Sequence, residues 1–210
     1  MRTLAILPVK SFSRAKQRLR GGLDPELRES LAEAMFRDVL DALGAADGVD
    51  AVVVVTAGEV PGAIAREHGV RVLNDREQGH SAAALIGIEA ALAGGYDEAL
   101  LVPGDCPALD PDELEVLLAR PVLPPSALIV PDRHGTGTNA LLLTPPGALA
   151  PSFGPDSCER HAQLARAAGT HAEVVEVPSL ALDVDTPEDL AALVAASDRA
   201  PRTQALLSRC

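Results

Sequence analysis

Three carboxylates and two lysines have the chemical types that phosphoryl transfer needs. Asp105 is the first side chain after Pro103-Gly104, where the apolar run Ala99-Leu100-Leu101-Val102 stops. Such a run reads as a buried strand, and Pro-Gly ends it and turns the chain. Ligands of open α/β sheets bind outside the carboxyl ends of strands. An acid there can hold a hard cation, and the cation a phosphate. The competing use of Asp105 is to cap the next turn. Asp183 and Asp185 stand two apart. On an extended segment both carboxylates face the same way, and like charges repel unless a cation or water lies between them. Asp105, Asp183 and Asp185 are therefore candidate ligands for Mg²⁺, in the manner of phosphoryl and nucleotidyl transferases. The competing use of Asp185 is at the start of the helix after Thr186.

Lys10, Arg14, Lys16, Arg18 and Arg20 form a basic loop without an acid, in a chain of net charge −12. A local anion site suits that contrast, and a solvated turn is the alternative. Lys10 and Lys16 are the candidates to meet the charge that builds on a leaving pyrophosphate. Asp105, Lys10 and Lys16 are thus the expected catalytic set. Asp132-Arg133-His134-Gly135-Thr136-Gly137-Thr138-Asn139 and Phe153-Gly154-Pro155-Asp156-Ser157 are loops whose backbone N–H groups can approach an anion. Ser157 opens a helix, where it either caps or offers its hydroxyl to a phosphate or carboxylate. His161, four residues on, shares its face, but no carboxylate orients it for a Ser-His hydrolase. His80 and His134 read as surface loop residues. No G-x-x-x-x-G-K-[ST] is present, and Gly135-Thr136-Gly137 lacks the third glycine of a dinucleotide loop.

The elements that must position these groups alternate. Apolar runs at 3–9, 51–56, 70–73, 99–102, 127–130, 139–143 and 171–177 read as strands. Between them, Asp24-Pro25-Glu26 starts a helix to about Leu43, and Asp110-Pro111-Asp112-Glu113 one to about Ala119. Further helices are expected at 60–67, 82–93, 157–168 and from Thr186 to about Ala196. Strands apolar throughout and alternating with helices imply a parallel sheet covered on both faces. One domain over 1–197 is expected, with 198–210 a tail that lacks apolar periodicity and is expected to be disordered.

Composition narrows the classes. Hydrophobic residues make up 47 % and aromatics 2 %, so Ala, Val and Leu must build the core. No apolar run approaches the roughly 20 residues of a membrane span, and no signal pattern precedes the first strand, so a cytoplasmic protein is expected. The acidic balance argues against nucleic-acid binding. Cys106, Cys158 and Cys210 make neither a disulfide framework nor a zinc spacing.

In order, Leu7-Pro8-Val9-Lys10, Ala15-Lys16-Gln17-Arg18-Leu19, Pro103-Gly104-Asp105-Cys106-Pro107, the Asp132–Leu141 stretch, Phe153-Gly154-Pro155 with Ser157 and His161, and Asp183-Val184-Asp185-Thr186-Pro187 resemble one family. It is the phosphoenolpyruvate or 2-phospho-L-lactate guanylyltransferases of coenzyme F420 biosynthesis. The Pro-Gly-Asp turn alone is shared with many nucleotidyltransferases, molybdenum-cofactor enzymes among them. The resemblance implies a Rossmann-like α/β nucleotidyltransferase fold with a mixed, mostly parallel sheet flanked by helices. It implies GTP and a phosphorylated three-carbon acid as partners, Mg²⁺ on Asp105, Asp183 and Asp185, and coupling to the next enzyme of that pathway. Thr138, Gly154 and Ser157 would hold the phospho-acid. Pro8, Lys10, Lys16, Gly79 and Ser81 would line the nucleotide, though relatives often carry Gly-Leu-Asn where this chain has Gly79-His80-Ser81. Two other readings compete: another nucleotidyl- or glycosyl-transferase on this scaffold, and a nucleotide-binding regulatory subunit.

Overall fold

The computed structural model describes residues 1–196 and 199–209, without the side chains of Arg14, Arg20 and Ala196. The first half follows the expected alternation: β1 (Thr3–Pro8), α1 (Pro25–Ala45), β2 (Ala51–Thr56), α2 (Glu59–Glu67), β3 (Arg71–Asn74), α3 (His80–Ala93), β4 (Glu98–Leu101) and α4 (Pro111–Leu118). The helix starts are the ones the local chemistry requires. The Asp24 carboxylate accepts the Leu27 N–H at 2.8 Å, and Asp110 accepts the Asp112 N–H at 3.1 Å. Each satisfies an amide that the first turn leaves without a partner, and proline follows at the first helical position.

The second half holds β5 (Ser126–Pro131), β6 (Thr138–Thr144), α5 (Ser157–Ala168), β7 (His171–Val174), the single turn α6 (Pro178–Ala181), α7 (Pro187–Ala196) and α8 (Pro201–Leu207). The strand order is β3-β2-β1-β4-β6-β5-β7. β6 runs antiparallel to both its neighbours, so the sheet is mixed rather than wholly parallel. β5 and β6 are both apolar throughout, and direction leaves no mark on residue type when both faces of a strand are covered. The reversal has a consequence for the site. It brings the start of β6, Thr138 and Asn139, to the end of the sheet where β4 stops.

Alternate residues of each strand feed two cores. Ala5, Leu7, Val54, Leu100, Leu128 and Leu142 pack under α1, α2 and α4 on one face. Leu4, Ile6, Val53, Leu101, Ile129 and Leu141 pack under α3 and α5 on the other. Gly87 lets α3 close on β1: a Cβ there would lie 2.2 Å from Ile6 Cγ2. A third cluster joins Leu31 and Met35 of α1 to Leu193 of α7, Ala200, and Val184 beside the acidic pair.

That cluster corrects the expected tail. Ser197, Asp198 and Cys210 lie outside the described residues, but 201–207 is a helix docked on α1. Its apolar contacts, Leu206 and Leu207, are too few to give a visible period. The decisive partner is Asp38 of α1, buried, whose carboxylate accepts the Thr203 N–H at 2.9 Å, the Thr203 hydroxyl at 2.7 Å and the Arg202 N–H at 3.1 Å. The cap of α8 is thus supplied from 165 residues away. Asp38→Ala leaves those donors unmatched and is expected to lower stability by about 2–3 kcal/mol. In a chain of this size that is a melting shift of roughly 5–10 °C, read by thermal denaturation. A shift under a degree or so would show that α8 docks without Asp38.

Candidate active site

Two cavities of about 300 Å³ each adjoin at the carboxyl ends of β1, β2 and β4, sharing Pro8, Val9, Lys10 and His80. The first also carries Ala57, Asp75, Glu77, Gly79 and Ala83. The second carries Lys16, Gly104, Asp105 and Asp185. Of the expected nucleotide residues, Pro8, Lys10, Lys16 and Gly79 are walls of this cleft. Ser81 faces elsewhere: its hydroxyl oxygen accepts the Phe153 N–H at 2.9 Å and ties the start of α3 to the Phe153 loop. α3 begins at His80, two residues before the expected start at 82, after Gly79 at φ +105°. Glycine is suited to that conformation, which side chains rarely adopt.

Lys16 is the centre of the second cavity. It stands in the left-handed region at φ +53°, between two short 3₁₀ turns, and Arg28 of α1 donates to the Ala15 carbonyl just before it. Its ammonium lies 2.5 Å from Asp105 Oδ2 and 3.0 Å from Asp185 Oδ1. Burial alone would lower its pKa, but the charges of Asp105 and Asp185 outweigh that and raise it well above the ordinary lysine value. Arg18 adds a looser contact to Asp185 at 3.8 Å. The side chains of Arg14 and Arg20 lie outside the described part of the loop.

The acidic pair comes to Asp105 through the backbone. The Val184 N–H donates to the Asp105 carbonyl at 3.1 Å, while the Val184 side chain is buried. Asp185 on one side of it meets Lys16. Asp183 on the other accepts from the Asn139 amide at 3.2 Å. Burial, then the Asp105 charge, raises the Asp183 pKa. The helix after this segment does not use Asp185 as its cap. Thr186 and Asp189 serve instead, with Asp189 Oδ2 accepting the Thr186 N–H at 2.7 Å and the Asp185 N–H at 3.0 Å. Among the described residues no three His, Cys, Asp or Glu side chains gather tightly enough to enclose a metal ion. Two carboxylate oxygens nonetheless share one cation, and Mg²⁺ in such sites takes one or two carboxylates and completes its shell with phosphates and water. The donor set fits that use. Cys106, next to Asp105, is fully buried; its Sγ contacts the Leu180 carbonyl at 3.5 Å, and burial pushes its pKa up.

Thr138, Gly154 and Ser157 stand on β6, the 152–156 loop and α5 and line neither cavity. The Ser157 N–H donates to the Gly154 carbonyl and the Cys158 N–H to the Thr136 carbonyl, each at 3.1 Å, which ties the three segments together. Between Val130 and Pro131 the β5–β6 register slips: Val130 faces Ala140, but Pro131 faces Thr138. Asn139 is the extra residue of a bulge, and a bulge re-aims the side chains beyond it. Thr138 therefore turns to the α5 face, where its Oγ1 lies 3.0 Å from His161 Nδ1, and Asn139 turns to Asp183. Asp132 builds the preceding loop by accepting the N–H groups of His134, Thr136 and Gly137 at 3.0–3.1 Å. Arg160 holds the other loop, donating to the carbonyls of Ser152 and Pro155. Gly154 stands at φ +121°, and Ser157 and His161 are buried on one face of α5.

Phe153 and His80 were not legible as site residues. The Phe153 ring meets His80 edge-on at 4.6 Å and His161 at 5.2 Å, so it stands between the cleft and the Thr138 loops. His80, expected at the surface, lines both cavities. A single histidine between a glycine and a helix carries no local signal of what will cover it.

Burial, with the nearby Arg160 charge, lowers the His161 pKa to about 4. The unfolded chain binds this proton near 6.5 and the folded chain does not. Its contribution to stability is therefore complete above about pH 6.5 and is lost as the pH falls toward 4, by about 2–3 kcal/mol in all. Chemical denaturation across that window should show the loss in the wild type and a shallower one in His161→Asn. Parallel profiles would mean that the imidazole is charged when folded.

A profile of the family described as "Guanylyl transferase CofC like" matches residues 3–205. The chain belongs to this family. The match reaches through 201–205 of α8, consistent with that helix being part of the domain. A phosphoenolpyruvate guanylyltransferase of Conexibacter woesei is 50 % identical over 195 residues, covering 92 % of this chain and 87 % of that protein. A 3-phospho-D-glycerate guanylyltransferase of Colwellia psychrerythraea is 37 % identical over 212 residues, covering 100 % and 99 %. Among solved structures, a putative nucleotide-diphospho-sugar transferase from Desulfovibrio desulfuricans superposes with a TM-score of 0.80 at 16 % identity, covering 100 % of this chain and 95 % of that one. CMP:2-keto-3-deoxy-manno-octonic acid synthetase, complexed with CTP, has a TM-score of 0.61 at 16 % identity, covering 100 % and 99 %. These likenesses establish the nucleotidyltransferase fold. No helix among the described residues is long and apolar enough to cross a membrane.

Proposed function

We propose that this guanylyltransferase moves GMP from GTP to phosphoenolpyruvate and releases pyrophosphate. One observation carries the reading: a buried ammonium clasped by two carboxylates in the second cavity, with Lys10 on the wall of both cavities. The base belongs in the first cavity, between Pro8, Val9, Ala57 and Ala83. Asp75 and Glu77 at its edge suit the N1–H and amino donors of guanine. The triphosphate follows Lys10 and Lys16 into the second cavity. The acceptor lies against Thr138, Gly154 and Ser157.

A phosphate dianion is already a nucleophile, so its attack on the α-phosphorus needs no general base. The protein's part is positioning and charge neutralisation. Lys16 stands where negative charge grows, and it is held charged before the substrate arrives. Asp105 and Asp185, with Asp183 beside them, would hold Mg²⁺, which when bound would offset charge on the leaving pyrophosphate. Asp105 also fixes Lys16, and Asn139 fixes Asp183.

The 50 % identical relative named for phosphoenolpyruvate supports that acceptor. The 37 % identical relative named for 3-phospho-D-glycerate makes that acid the second reading, with 2-phospho-L-lactate beside it. GTP labelled at the α-phosphate, given equal amounts of the three acids, decides. Label should appear chiefly in the phosphoenolpyruvate adduct, with one pyrophosphate released per adduct. Predominant labelling of 3-phospho-D-glycerate would reassign the acceptor. No transfer to any of the three would overturn the reaction, and the place in coenzyme F420 biosynthesis with it.

A further inference from the structure

His161 is buried, lies outside both cavities and has no role in the chemistry above, yet both of its ring nitrogens are engaged. Its surroundings determine which nitrogen carries the proton. The Ser152 backbone N–H donates to Nε2 at 2.8 Å. An amide N–H can only donate, so Nε2 must present its lone pair. In a neutral imidazole the proton then sits on Nδ1. Nδ1 lies 3.0 Å from Thr138 Oγ1, so the ring donates and the threonine oxygen accepts. Burial and the adjacent Arg160 keep the ring neutral, which preserves this arrangement.

The consequence falls on the Thr138 proton. A threonine hydroxyl can donate its one proton and accept at two lone pairs. Here one lone pair is committed to His161, and the hydroxyl proton cannot point at a nitrogen that already carries one. Among the described residues, Thr138 Oγ1 has no other hydrogen-bond partner. The proton is left for a ligand bound at Thr138. We propose that His161 is a positioning residue that turns the Thr138 hydroxyl proton away from itself, so that it donates to the anionic acceptor. This inference rests on the phospho-acid lying against Thr138, as argued above. A phosphate or carboxylate oxygen can only accept, so it needs a hydroxyl whose proton is not already given to a neighbour. The Arg160 grip on Ser152 becomes part of the device. It holds the carbonyl side of the residue whose N–H sets the tautomer, at 2.9 Å from Nη2.

Two measurements test this. In the whole protein at neutral pH, ¹⁵N spectra of labelled histidine, assigned by loss of one signal in His161→Asn, should show His161 protonated at Nδ1 and bare at Nε2. The opposite tautomer, or an imidazolium, overturns the inference whatever the enzyme's reaction. The second measurement is a double-mutant cycle. His161→Gln keeps an acceptor for Ser152 but places no donor at the Nδ1 position. His161→Asn keeps a donor there. His161→Gln and Thr138→Val should each raise KM for the phospho-acid by about tenfold or more, the worth of one hydrogen bond to a charged group. KM for GTP and kcat should change little, and the double variant should be no worse than about the larger single effect. His161→Asn should stay within about threefold of wild type if the donor is what matters. Additive effects, equal damage from Asn and Gln, or a wild-type KM in His161→Gln would each overturn the inference. Melting curves of every variant separate these outcomes from misfolding. A wild type that transfers GMP to no phospho-acid overturns the proposed function instead, and this role falls with it.

Discussion

Asp105→Asn should lower the rate of GMP transfer by about 10³-fold, comparable to removing one preorganised electrostatic group from a transition state. The substitution keeps the shape of the side chain and a carbonyl oxygen to accept from Lys16. Lys16 also keeps Asp185 at 3.0 Å, so the buried ammonium is not stranded. The melting temperature should therefore move by no more than about 2–4 °C, which corresponds to about 1 kcal/mol in a chain of this length. What disappears is half of the charge that holds Lys16 in place and one of the two carboxylate oxygens available to a divalent ion. Steady-state rates at saturating GTP and acceptor, with melting curves alongside, check both halves. Turnover within about threefold of wild type would remove Asp105 from the machinery and leave it as the residue that anchors Val184 through its backbone carbonyl.

Lys16→Met is the complementary change. It keeps most of the volume and deletes the cation between Asp105 and Asp185. Turnover should fall by about 10²–10³-fold, because the charge that meets the triphosphate is gone. Stability should fall too, since acidic groups are left facing one another. Their side chains are 30 % and 42 % exposed, so water screens much of the repulsion. The loss is closer to about 1–2 kcal/mol than to the 3–5 of a fully buried pair. Divalent cation offers an independent readout. A variant with two uncompensated carboxylates should bind it more strongly when folded, so MgCl₂ should raise its melting temperature more than it raises the wild type's, at matched ionic strength. Equal shifts in the two proteins would show that Asp105 and Asp185 do not share a cation position.

These expectations depend on residues whose types were visible and whose meeting was not. Asp24 and Asp110, each followed by proline, marked two helix starts to the residue because capping is decided within one turn of chain. The end of β4 at Pro103-Gly104 and the isolated carboxylate after it were equally local. Lys16 was legible as a cation near an anion site. That it would be buried, and clasped by Asp105 and Asp185 across 89 and 169 residues, was not. The tail was misread for the same reason, because its cap lies on α1. His80 looked like a surface residue until Phe153, from another loop, was laid against it.

The hydrophobic pattern by itself determined that this is an α/β protein with a sheet covered on both faces, since continuous apolar runs have nowhere else to go. The capping residues fixed the starts of α1 and α4, and the residue types gave the chemical kinds at the site, whereas α3 starts two residues before the expected position and α8 carried no pattern. Only the tertiary structure decided that β6 runs backwards and that Asn139 bulges, because a fully covered strand has the same composition in either direction and a bulge is a matter of pairing. Those two facts bring Thr138 to His161 and Asn139 to Asp183. They bring together residues that no spacing along the chain connects.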